Sequence, residues 1–131
     1  MPASLRIELF PAAMDIFLDF YTRVLDFKLI QRKGTYVYLK RDNIYIGAVE
    51  TPTVDSPADR RSYRQPNKGV EIVIEVDDVQ GERDRVLELG YKLDADLERQ
   101  KWGLEDFRLT DPDGYYIRIT NRSEDSHVSE R

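Results

Sequence analysis

Imidazole and thiolate, the side chains behind most acid–base, nucleophilic and metal chemistry, are nearly missing from this 131-residue chain. Its one histidine, His127, sits in the polar tail Arg122–Arg131, which has no hydrophobic periodicity and is expected to fray. There is no cysteine, so disulfides, thiolate nucleophiles and zinc–thiolate sites are excluded. The remainder shows no Ser-His-Asp or Cys-His set and no glycine loop that could cradle phosphate. What is left is arginine, carboxylate and aromatic surface. Eight tyrosines supply amphipathic rings that suit a half-wet cavity and stack on planar ligands. The plainer role of any one of them is to cover an open sheet face or a dimer contact. Tyr36 and Tyr38 are alternate residues of one segment and share a face, and Trp102 is the lone tryptophan. Arg60, Arg61, Arg64 and Lys68 form a basic run; such runs are usually just solvated, but one folded over a cavity would attract anions.

The elements that must position these residues come in two copies. Arg23-Val24-Leu25-Asp26-Phe27-Lys28-Leu29 recurs as Arg85-Val86-Leu87-Glu88-Leu89-Gly90-Tyr91-Lys92-Leu93, with two extra residues in the second copy. A repeat of this length is a supersecondary unit. In the first copy Leu5, Ile7 and Leu9 alternate as a strand, and Pro11 ends it. Met14, Phe17, Leu18, Tyr21 and Leu25 then step as an amphipathic helix. Strands are expected near Phe27–Arg32, Thr35–Lys40 and Asn43–Val49, joined at Lys33-Gly34 and Arg41-Asp42-Asn43. The second copy opens with Val70, Ile72, Ile74 and Val76 in alternation. A helix capped by Asp77 or Asp78 follows and stops at Gly90. Strands near Tyr91–Leu97, Leu104–Thr110 and Tyr115–Thr120 complete it, the last two joined by Asp111-Pro112-Asp113-Gly114.

Each copy therefore reads β-α-β-β-β. The expected class is α+β: two tandem βαβββ modules, residues 5–50 and 69–121, forming a curved mixed sheet with helices on its convex side and an open face opposite. The connector 51–68 and tail 122–131 flank a single domain. A length of 131 residues suits one core, and no apolar run approaches the roughly 18 residues that span a bilayer. The N-terminus lacks the layout of a signal peptide, and cytoplasmic residence is the default without cysteine. A net charge of −5 argues against nucleic acid.

Three ordered blocks on this repeat resemble the vicinal oxygen chelate superfamily, which includes glyoxalase I, ring-cleaving dioxygenases and bleomycin-resistance proteins. Phe20-Tyr21-Thr22-Arg23-Val24-Leu25-Asp26-Phe27 is similar to the family's FYxxVLGF block, with Asp26 where glycine is usual. Val76-Asp77-Asp78-Val79 resembles the end of the second-module first strand. Trp102 to Gly114 resembles the terminal WGxxxFxxxDPDG block. Most of this pattern is structural, so it speaks to fold before chemistry.

The resemblance implies where chemistry would sit. Metal-dependent relatives hold a divalent ion with four inward side chains, usually two His–Glu sets, from the first and fourth strand of each module. Counting from the blocks, those positions here are Arg6, Gly47, Glu71 and Arg118. Arginine stays protonated and has no lone pair to donate, and Gly47 offers no ligand. A register slip would present Glu8 in place of Arg6, but not the missing histidines. The expectation is no metal and no cofactor. Two readings of Arg6, Glu71 and Arg118 stay open: an ion-pair lattice in which Glu71 bridges both guanidiniums, or a forked anion site. Tyr38, Tyr45 and Tyr116 lie on the same strand faces, and Trp102 belongs to a loop that shapes the pocket mouth in relatives.

The leading functional expectation is a small-molecule binder of the sequestering kind, similar to the bleomycin-resistance branch, using Arg6, Tyr38, Tyr45, Glu71, Trp102, Tyr116 and Arg118. The alternative is a lyase, isomerase or dioxygenase with Glu71 as general base. A carboxylate between arginines is a weak base, which counts against it. A third possibility is an accessory domain whose open face binds a protein. The resemblance and the exposed sheet edges both imply a homodimer.

Overall fold

The computed structural model describes residues 2–51, 59 and 69–122. The basic run Arg60, Arg61, Arg64 and Lys68, most of the 51–68 connector, and His127 lie outside the described residues.

The chain forms two compact units, the first carrying strands β1–β4 and the second β5–β8. In the first unit, β1 (Ile7–Leu9) is followed by helix α1 (Met14–Asp19), which runs into a π-helical turn at Phe20–Val24. Strands β2 (Lys28–Lys33), β3 (Tyr36–Arg41) and β4 (Ile44–Val49) complete it. The second unit runs β5 (Glu71–Val76), α2 (Val79–Glu88), β6 (Ala95–Arg99), β7 (Glu105–Thr110) and β8 (Tyr116–Asn121). Each is βαβββ. Each makes one four-stranded mixed sheet, in the orders β1-β4-β3-β2 and β5-β8-β7-β6, with the outer first strand parallel to the last. This is the glyoxalase/bleomycin-resistance architecture.

Alternation separates two jobs within β3 and β5. Ile72, Ile74 and Val76 of β5 are buried, while Glu71, Val73 and Glu75 between them are exposed. Phe107, Leu109, Ile117 and Ile119 are fully buried from β7 and β8, and α2 packs across β6, β7 and β8 with Val79 and Val86 inward. The cap is as the composition requires: Asp78 accepts the Gly81 N–H at 3.0 Å, and Gly90 closes the end at φ 81°.

The first helix departs from the expected single amphipathic α-helix. It ends in a π turn, and Phe20, Tyr21, Val24 and Leu25 are buried there with Phe17, the spacing of one apolar helix face. Tyr21 meets Phe17, Phe20 and Phe27 at centroid distances of 4.5, 4.9 and 5.9 Å. Asp26 then takes φ 61°, the left-handed conformation for which glycine is the usual residue. At the other end Leu5 is 78% exposed and precedes the strand, so of Leu5, Ile7 and Leu9 only Leu9 is fully buried.

On the outer face of the first helix Arg23 grips Asp19 through two hydrogen bonds of 2.9 Å. That bond outweighs the opposing effect of burial and, with the charge of Arg23, holds the Asp19 carboxyl below the ordinary carboxylate range. A group depressed by folding contributes stability that is present above its unfolded pKa and disappears as pH falls through the folded one. An Asp19→Asn variant is therefore expected to be less stable than the parent near neutrality. The difference should close in acid, as read from urea midpoints at both pH values.

Candidate functional site

In the first unit the strand pairings line up Glu8, Gly47 and Tyr38 on one rung of the open face. Arg6 Nε stands 2.8 Å from Glu8 Oε2 and its guanidinium lies 5.9 Å from the centre of the Tyr38 ring. Tyr38 stacks on Tyr45 at 6.2 Å with an 18° tilt, and Lys40 Nζ sits 5.6 Å from the Tyr45 ring centre. Arg6, Tyr38 and Tyr45 thus do meet, and the carboxylate that Arg6 uses is Glu8, two residues on in β1.

Gly47 explains how this rung closes. A Cβ there would stand 2.3 Å from Glu8 Oε2 and 2.7 Å from the Tyr36 hydroxyl, so the space a ligating side chain would need is already filled. Both neighbours are the free ends of long side chains and can swing away. A Gly47→Ala substitution is accordingly expected to change stability by less than about 1 kcal/mol while displacing Glu8 from Arg6. Chemical denaturation gives the first quantity, and the carboxyl carbon shift of Glu8 the second.

The second unit holds a hollow on its open face. Its register makes Arg108 the direct cross-strand partner of Arg118, with Val73 on the other side of Arg118 and Tyr116 one rung away beside Glu71. Glu71, Val73, Glu75, Trp102, Leu104, Arg108, Arg118 and Thr120 line a hollow of about 440 Å³. That volume is within the range of sites that take drug-sized molecules. Trp102, in the turn between β6 and β7, is 57% exposed on its rim.

The polar groups at the floor are paired unevenly. Arg118 Nε lies 3.4 Å from Glu71 Oε1, and its NH1 nitrogen lies 3.6 Å from Asp106 Oδ2. These are ion pairs by distance, but both exceed the 2.7–2.9 Å of a charge-assisted hydrogen bond. Arg118 Nε and Asp106 Oδ2 are both buried without a hydrogen-bond partner. Asp106 itself is 2% exposed, and its Oδ1 accepts from Gln100 Nε2 at 3.0 Å. Arg108 donates to the Tyr116 hydroxyl at 3.2 Å. Burial pulls the Arg108 guanidinium down, yet the Tyr116 bond and the charges of Tyr116, Asp106 and Glu71 outweigh it, so this cation is held more firmly than usual.

Of the residues singled out from sequence, Glu71, Trp102 and Arg118 share this hollow and Tyr116 adjoins it. Arg108, Asp106 and Gln100 were missed. The hairpin about Asp111–Gly114 pairs Thr110 with Tyr116, and that register puts Arg108 opposite Arg118. The expected lattice takes a different form, since Arg118 meets Glu71 and Asp106 while Arg6 meets Glu8.

The four positions that the resemblance assigns to a divalent ion do not carry side chains that suit one. Arg6, Gly47 and Arg118 supply no lone pair at three of the four positions, and the fourth, Glu71, already faces a guanidinium. Among the described residues no three of His, Cys, Asp and Glu converge as a ligand group.

Comparison with known proteins follows this geometry. The family model for the glyoxalase/bleomycin resistance protein/dioxygenase superfamily matches residues 4–119. The chain belongs to this superfamily. Among solved structures, superfamily relatives align over nearly the whole chain. A bleomycin resistance determinant encoded on transposon Tn5 superposes with a TM-score of 0.72 at 20% identity, covering 93% of this chain and 99% of that one. A bleomycin-binding protein in complex with bleomycin gives 0.71 at 20% identity, covering 93% and 100%. A lactoylglutathione lyase from Agrobacterium tumefaciens gives 0.67 at 16% identity, covering 92% and 94%. At these identities the likeness is one of fold. No curated protein sequence matches the chain significantly. Among the described residues no helix is long and apolar enough to cross a membrane.

Proposed function

We propose that this superfamily member binds a small organic molecule at the open face of its second unit and acts by holding it. The observation that carries the reading is the hollow itself. An exposed indole stands at the rim of a hollow lined by Arg118, whose buried Nε has no hydrogen bond. Buried polar groups left open in this way are costly unless a partner arrives. Sequestration needs affinity alone, and no nucleophile, metal or free base is required of the chain. The bleomycin-binding relative shows that the same architecture can serve such a role.

Arg6, Tyr38 and Tyr45 form a second recognition surface in this reading, suited to planar groups. The two modules act as one domain, and the working unit is a homodimer. Strand β2 supports this, because it is an exposed edge that shows Leu29 and Ile30 at 44% and 54% accessibility. A chain without cysteine also suits the reducing cytoplasm.

The test is a thermal-shift screen that includes bleomycin, followed through the emission of Trp102, the only tryptophan. A ligand at 100 times its Kd should add about 2.7 kcal/mol of stability. The reading is overturned if stoichiometric Zn, Ni, Fe or Mn is found in the purified protein and the loaded protein turns over a superfamily substrate.

A further inference from the structure

The hollow in the second unit carries both signs of charge, and they are sorted. Crossing the sheet from its edge, β5 presents Glu71 and Glu75 with the apolar Val73 between them. The two central strands present Arg118 and Arg108, side by side on one rung. The turn before β7 adds Trp102 and Leu104. Two carboxylates and two guanidiniums on the wall cancel, so the hollow is formally neutral but polarised: acidic at the edge, basic in the middle, apolar beyond.

From this order we infer that the ligand is an amphoteric aromatic molecule. It carries a cationic group toward β5, a planar oxyanion over Arg108 and Arg118, and a flat apolar body against Trp102. The inference rests on the binding reading above and names the chemical class that the same site selects. Three features support the order. Like charges directly opposite on a ladder repel, so the Arg108–Arg118 rung is stabilised by an anion placed between them. Asp106 and Glu71 supply this only in part, because Arg118 Nε keeps a free donor. A ligand carboxylate can take that donor and release Glu71, whose hold at 3.4 Å is loose. Glu75 has no hydrogen bond or ion pair among the described residues, so together with the released Glu71 it gives the ligand cation a place to go. Val73 and Trp102, 42% and 57% exposed, offer apolar contact on either side.

A matched set of probes isolates the claim: 2-naphthylalanine, 3-(2-naphthyl)propionate and 2-(2-naphthyl)ethylamine share one ring system and differ only in charge. The indole N–H resonance of Trp102 reports binding, since the chain has one tryptophan. The zwitterion is expected to move that resonance at concentrations about tenfold below either mono-ion. Glu75→Gln should reduce its affinity toward that of the acid, and Arg108→Met toward that of the amine. Folding of each variant is checked by its amide spectrum, and Arg118→Lys serves as a second probe of the basic centre if Arg108→Met does not fold. Equal affinity for either mono-ion, or a zwitterion untouched by both substitutions, overturns the inference. If bleomycin or an uncharged polycyclic compound moves the Trp102 resonance while the amphoteric probe does not, the charge order is wrong and the binding reading stands. If no compound moves it, both fall.

Discussion

A Phe107→Ala variant is expected to lose about 3–5 kcal/mol of folding stability. Phe107 is fully buried at the centre of β7, opposite Ile119 on the helix-covered face of the second sheet. Removing its ring deletes apolar contact and leaves a cavity that the flanking strands cannot close, because their spacing is fixed by the ladder. The loss should appear as a lower denaturation midpoint with an unchanged m-value. A loss below about 1 kcal/mol would mean that the core at this point is not close-packed as described. Phe107 also lies between Asp106 and Arg108 in the chain, so its side chain sets the position of the two site residues that face the other way. The less drastic Phe107→Leu, which keeps most of the volume, should therefore weaken ligand binding more than its stability cost alone accounts for.

The second large effect is expected at Arg118. Arg118→Met removes the guanidinium closest to Asp106 Oδ2, leaving that buried carboxylate with only its Gln100 bond. Breaking a fully buried pair typically costs 3–5 kcal/mol; Arg118 is about one-fifth exposed and its contacts are long, so about 2–3 kcal/mol is expected here. The diagnostic is the double variant. With Asp106→Leu added, the stranded charge disappears and most of the stability should return, while binding stays lost. Recovery of both together would show that Arg118 supports the fold and nothing else. Failure of the double variant to recover would place the cost in packing of the arginine stem.

How much of this was legible beforehand depended on which physical rule each feature obeys. The repeat and the period-2 strands indicated the βαβββ order, and Asp77 or Asp78 and Gly90 marked the ends of α2, because caps and alternation are local. The π turn at Phe20–Val24 was not legible. Its apolar residues fit an α-helical stripe equally well, so the pattern carries no sign of the wider turn. Strand β6 begins at Ala95, later than its tyrosine and leucine suggested, because the Asp94 N–H first bonds the Arg108 carbonyl and a register irregularity follows. At the site, counting from motifs located Glu71 and Arg118 but passed over Arg108, which becomes visible only when the hairpin register is worked through. Asp106 was hidden for another reason. An acidic residue in a strand reads as exposed, and nothing in its neighbours announces that Gln100 and Arg118 will enclose it. Gly47 offered no side chain to read at all, so the filling of its space by Glu8 and Tyr36 is a matter of side-chain rotamers.

The two sheets repeat the same strand order but differ in what each rung holds. The place taken by Tyr38 and Gly47 in one is taken by Arg108 and Arg118 in the other. Since neighbouring residues of a strand serve opposite faces, these positions can be exchanged without touching the packed side that sustains each half. Such a scaffold is evolvable by halves: one duplicated unit can drift to a new specificity while its sibling keeps the old one.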